Sequence, residues 1–149
     1  MEIQGLKKLL RRLPPGSGNF DQDSRDFLPG NALTLLSTGK QAFEAMGRAI
    51  EGARETVHLE TYRFFSDKTG NEFARRLMEK SRLGVRVRVI IDGIGSLEMN
   101  PVLIQRMRNA GVQFLEYRPV APWRARWGWG RRNHRKILVV DGKVAFTGG

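Results

Sequence analysis

His134, Lys136 and Asp141 stand at the spacing H-x-K-x4-D in a chain of 149 residues, and Gly148 and Gly149 follow them. The whole stretch, Asn133 to Gly149, reads N-H-R-K-I-L-V-V-D-G-K-V-A-F-T-G-G. Residues 134 to 140 are rich in aliphatic and β-branched types, which predicts a strand. Side chains two apart on a strand share a face. His134 and Lys136 are therefore expected to project together, with Arg135 and Ile137 on the other side. An imidazole beside a fixed positive charge suits attack on a phosphodiester: the ring can bond to phosphorus or carry a proton, and the ammonium offsets charge on the non-bridging oxygens. Asp141-Gly142 sits between the runs Ile137 to Val140 and Lys143 to Phe146, a strong signal for a type I′ hairpin turn. Making that turn is by itself a sufficient reason for an aspartate there.

The upstream elements must position this pair. Ala32 to Leu36 reads as a short strand. Lys40 to Ala53 reads as a helix with Ala42, Phe43, Met46, Ala49 and Ile50 on one face. Thr56 to Phe65 is the next strand, with Thr56, His58, Glu60 and Tyr62 on one side and Val57, Leu59, Thr61 and Arg63 on the other. Gly70 to Leu83 is an amphipathic helix stopped by Gly84. Val85 to Ile91 alternates aliphatic residues with Arg86 and Arg88, as a strand does. Asp92-Gly93-Ile94-Gly95-Ser96 follows it, where open α/β sheets gather ligands; Asp92 and Ser96 are read first as ordinary turn residues. A helix from Pro101 to Ala110 and a strand from Val112 to Tyr117 complete the series. The alternation of strand and helix predicts an α/β layered fold.

Composition narrows the partners. Twenty-six Lys and Arg against fifteen Asp and Glu give a net charge of +11, which favours an anionic partner, either nucleic acid or anionic lipid. There is no cysteine, so disulfides and thiolate metal sites are excluded. With two histidines, His58 and His134, a histidine-based metal site is not expected. No apolar run reaches the roughly 18 residues of a membrane span, and the first thirty residues lack the apolar core of a signal peptide, so a soluble or peripheral protein is expected. Residues 1 to 13 place Leu6, Leu9, Leu10 and Leu13 at helical spacing among Lys7, Lys8, Arg11 and Arg12, which fits either a membrane-surface helix or a basic tail. Trp123, Trp127 and Trp129 are interleaved with Arg124, Arg126, Arg131 and Arg132. That mixture suits a membrane–water rim, a platform for single-stranded nucleic acid, or tryptophans folded into the core.

The H-x-K-x4-D strand with its glycine pair resembles the HKD signature of the phospholipase D superfamily. Upstream, the run L-E-T-Y-R-F at 59–64 is similar to the Glu-Thr-Tyr strand of bacterial cardiolipin synthases, and the resemblance covers roughly residues 30 to 149. It implies a phospholipase D-like layered α/β fold, a mixed β-sheet flanked by helices, of which this chain carries one HKD half. Residues 1–29 are then a basic tail and linker, and 30–149 an N-terminal phospholipase D-like domain, incomplete at its C-terminus. His134, Lys136 and Asp141 form the catalytic motif, with Asp141 supporting its geometry while His and Lys carry the chemistry. Glu60 and Tyr62 are placed near the pocket, although Glu60 could instead be paired with one of the many arginines. Arg131, Arg132, Gly148 and Gly149 complete the expected substrate-binding set. The resemblance implies neither metal nor cofactor, and two HKD motifs facing each other: one histidine attacks phosphorus and the other protonates the leaving alcohol. The expected activity is phosphatidyl transfer, giving cardiolipin and glycerol from two phosphatidylglycerol molecules. The expected partners are an anionic phospholipid, the cytoplasmic face of a bacterial membrane through peripheral contact, and a missing C-terminal half or a second copy. The alternatives are a metal-independent phosphodiesterase or nuclease acting as a homodimer, and a non-catalytic fragment that binds anionic lipid or nucleic acid.

Overall fold

A computed structural model describes residues 30–120 and 132–148. Within them, helices α1 (Gly39–Gly52), α2 (Lys68–Arg82) and α3 (Pro101–Asn109) alternate with strands β1 (Thr56–Thr61), β2 (Arg86–Asp92) and β3 (Gln113–Tyr117). A hairpin of β4 (Lys136–Val140) and β5 (Val144–Thr147) follows. The strands form one sheet in the order β3-β2-β1-β4-β5. The first three are mutually parallel, while β4 runs antiparallel to β1 and β5 antiparallel to β4. The mixed α/β sheet expected from the sequence is the one formed.

Strand alternation sets the core. On β2, Val87, Val89 and Ile91 are buried while Arg86 and Arg88 are exposed. The register aligns Val57 with Val87 and Val140, and Leu59 with Val89 and Leu138. These side chains therefore share one sheet face, where Ile50, Leu77 and Met107 from the three helices join them in a single cluster. Each fully buried aliphatic side chain contributes roughly 1.5–3 kcal/mol. The other face carries His58, Glu60, Ile90 and Ile137, and no helix of the described residues lies on it.

The helix ends follow from local chemistry. Asp67 caps α2, its Oδ1 accepting from the Gly70 N–H at 2.7 Å, so the helix starts two residues before Gly70. At the other end Gly84 takes a φ of +87°. Its N–H bonds to the Ser81 carbonyl at 3.0 Å and that of Val85 to Lys80 at 3.1 Å, the paired bonds of a Schellman stop. Asn100 caps α3 through the Val102 N–H at 2.9 Å, with Pro101 as the first helical residue.

Two expectations are corrected. β1 ends at Thr61, not at Phe65, because the Phe64 N–H turns to the Ser96 hydroxyl at 3.0 Å instead of to a neighbouring strand. Ala32 to Leu36 is not a strand. It pairs with none of the described strands, and Leu33 and Leu35 are 57% and 71% exposed, so burial against the sheet does not select an extended ladder there. The unit containing the sheet begins at Phe43. The leucines of residues 1–13 and the Trp–Arg stretch from 121 to 131 lie outside the described residues.

Candidate active site

The chain builds the sheet outward from β1 through β2 to β3, then returns to the other side of β1 as β4. Such a reversal opens a crevice at the carboxyl ends of the parallel strands. Thr61 at the end of β1 is paired with Lys136 at the start of β4, so the H-x-K residues enter the sheet at that crevice.

The two key side chains meet there. Lys136 Nζ lies 2.8 Å from His134 Nδ1, with His134 exposed and Lys136 half-buried. His134 precedes the regular strand, which begins at Lys136. Tyr62 supports the pair: its ring centroid is 4.5 Å from that of His134, and Lys136 Nζ is 5.9 Å from it. Extending the β4–β5 register by one step from Ile137–Thr147 places Gly148 opposite Lys136. A Cβ at Gly148 would meet nothing within 4 Å, so the approach to the ammonium is open on that side.

Glu60 reaches the site indirectly. The register pairs it with Ile137, which puts it on the face opposite Lys136. There its carboxylate accepts a short hydrogen bond from the Asn133 amide and stands 3.6 Å from the Arg135 guanidinium. The glutamate thus stands beside an arginine, as one reading of it expected, and also bonds to the residue before His134. The alternation expected to put Tyr62 beside Glu60 stops with the strand at Thr61, and Tyr62 goes to the histidine.

Asp92, read first as a turn residue, does more. It has no exposed surface. One oxygen accepts from the N–H groups of Ile94 at 2.9 Å and Gly95 at 3.1 Å, the turn role expected of it. The other accepts from the Asn133 N–H at 3.0 Å. Arg132, expected to contact substrate, places Nη1 3.6 Å from this carboxylate and donates from it to the Arg118 carbonyl at 3.2 Å. The two residues before His134 are therefore tied to the end of β2. Ser96, likewise expected only to turn the chain, donates to the Tyr62 carbonyl at 3.2 Å while accepting from Phe64. Asn133 was not singled out by its sequence; its position directly before the histidine was the available signal. Arg131 and Gly149 lie outside the described residues.

Asp141 stands at the opposite end of β4 from the pair. It forms the hairpin turn, with φ of 51° at Asp141 and 63° at Gly142, the double positive φ of type I′. Its carboxylate also accepts from three backbone N–H groups, Thr56 and Glu55 at 2.8 Å and Arg54 at 2.9 Å. Those bonds, that of Thr56 foremost, hold its carboxyl below the ordinary value of 3.8. A depressed folded-state value stabilises the fold above the unfolded-state value, and that contribution is lost as pH falls through the folded one. Asp141→Asn is thus expected to be less stable at neutral pH and to lose less stability on acidification below 3.8. Urea midpoints measured across that range test this; parallel curves for the two proteins would refute the clamp.

An imidazole and an ammonium thus stand side by side at the carboxyl end of the parallel strands of a mixed α/β sheet. Residues 46–149 match the family model described as "Cardiolipin synthase, PLD-like domain", and the chain belongs to that family. It is 38% identical over 115 residues to cardiolipin synthase 1 of Bacillus cereus, covering 77% of this chain and 23% of the relative. Against cardiolipin synthase B of Escherichia coli it is 36% identical over 121 residues, covering 80% of this chain and 29% of the relative. The chain thus spans about a quarter of the length of these relatives. Among solved structures it is similar to NucT from Helicobacter pylori, with a TM-score of 0.52 at 19% identity over 72% of this chain and 65% of that one. That likeness concerns the fold.

Proposed function

We propose that this chain supplies one half of the active site of a phosphatidyltransferase that makes cardiolipin and glycerol from two molecules of phosphatidylglycerol. The observation that carries the reading is the His134–Lys136 pair, 2.8 Å apart at an open crevice. In this reading one histidine attacks the phosphorus of the first phosphatidylglycerol, and the glycerol leaves with a proton from a second H-x-K motif. The primary hydroxyl of the second lipid then attacks the phosphohistidine. Lys136 offsets the charge that builds on the non-bridging oxygens. The second motif comes from a further part of the protein or from a second copy. The excess of basic residues suits an anionic bilayer, and the site works from the cytoplasmic face as a peripheral one. No helix of the described residues is long and apolar enough to cross a membrane.

Incubating the complete protein with labelled phosphatidylglycerol is expected to give cardiolipin and free glycerol in equal amounts. Phosphatidic acid as the sole lipid product would replace transfer with hydrolysis. DNA cleavage by a discrete dimer, without cardiolipin, would replace it with a nuclease. Lys136→Ala is expected to slow transfer by roughly 10²–10³-fold, the usual loss for one charge-stabilising donor. The rate of cardiolipin formation at saturating lipid measures it.

A further inference from the structure

We propose that a cavity between α1, α2 and the end of β1 holds one acyl chain of the lipid whose phosphate lies at His134 and Lys136. The inference rests on the phospholipid reading above and adds the place where the tail goes. The cavity has a volume of about 300 Å³. Phe43, Met46, Leu59, Phe64, Phe65 and Phe73 form its walls. Phe43 belongs to the apolar face of its helix yet is 49% exposed; its ring stands edge-on to Phe73 at 5.8 Å, so the side chain lines the hollow without being covered. Covering its aromatic wall with an alkyl chain would remove apolar surface from water.

Its position joins it to the crevice. Thr61 lines the cavity and is also the β-partner of Lys136. Paired residues point to the same side of a sheet, about 5 Å apart, so the base of the Lys136 side chain stands beside a residue of the cavity wall. Arg63 is exposed at the cavity wall, its guanidinium 5.8 Å over the Phe65 ring. The carboxylate at the wall, Asp67, is occupied in capping α2. Cations beside an aromatic hollow match an amphiphile with an anionic head and an alkyl tail. A sugar phosphate entering the same space would bring hydroxyls among phenylalanines that offer them no hydrogen bond, a costly placement.

Titration of the protein with a homologous series of alkyl phosphoglycerols, each below its micellar concentration, tests the assignment. Affinity is expected to rise about fourfold per methylene until the cavity is filled. Phe43→Asp puts a charge in the wall and Thr69→Trp adds bulk to it; because Phe43 packs on the core residue Phe73, an unchanged urea midpoint is required of each variant before its series is read. Each variant is expected to flatten the series. A flat series in the unaltered protein overturns the proposal, and so does a steep series that survives both substitutions. Transfer that still depends on His134 alongside a flat series would remove the acyl subsite alone. A steep series that both variants flatten, with transfer indifferent to His134→Ala, would keep the subsite and remove the catalytic reading.

Discussion

His134→Ala is expected to lower phosphatidyl transfer by at least about 10³-fold, the scale of losing a positioned proton-transfer or nucleophilic group. Among the described residues of the crevice, an imidazole has the chemistry to form a bond to phosphorus and release it again at neutral pH. Lys136 and Tyr62 on either side can orient and stabilise, but neither takes over that step. The substitution is also clean. His134 is exposed and lies outside the paired part of β4, so the variant should fold with an unchanged denaturant midpoint. Cardiolipin formed from labelled phosphatidylglycerol gives the rate, and quenching in detergent at alkaline pH, which spares the acid-labile P–N bond, retains the phosphoenzyme. A variant that turned over at the parent rate would take the histidine out of the chemistry.

Asp92→Ala should be the most damaging single change to stability. The carboxylate is fully buried, accepts from three backbone N–H groups and faces Arg132. Removing it strands a half-buried guanidinium and frees the chain that enters β4. Breaking one partner out of a buried pair costs about 3–5 kcal/mol. Asp92→Asn retains an acceptor oxygen and should lose less. Urea denaturation of both variants measures the difference; a cost below about 1 kcal/mol for the alanine would put this contact among ordinary surface pairs. Because Asn133 immediately precedes His134, the rate of the asparagine variant should also fall by more than its stability accounts for.

Local signals in the sequence reached most of the scaffold. The Val–Arg alternation of β2, the Gly84 stop and the Asp-Gly turn each depend on neighbours within a few residues, and each element formed where its pattern lay. His134 and Lys136 meet as expected, although the strand expected from residue 134 begins only at Lys136. What escaped depends on residues far apart in sequence. Asp92 is a plausible turn residue until Asn133, 41 positions later, brings its N–H to the same carboxylate. The partners of Asp141 lie 85 to 87 positions before it. Glu60 was legible as a residue in need of a partner, and the register of β1 on β4 set it beside Asn133 and Arg135. Ala32 to Leu36 failed for the opposite reason: its local pattern was adequate, but a strand also needs a neighbour.

The triple bond at Asp141 has a consequence for the far end of its strand. Five residue steps separate it from Lys136, about 17 Å of extended chain. Were β4 to slide by a single residue along β1, every side chain on it would turn over to the reverse side of the sheet, and the ammonium would look away from the crevice. Fastening the carboxylate to three consecutive amides forbids that slide. The fixed gap in H-x-K-x4-D is therefore a gauge length, by which a chemically silent aspartate dictates the bearing of a lysine it never touches.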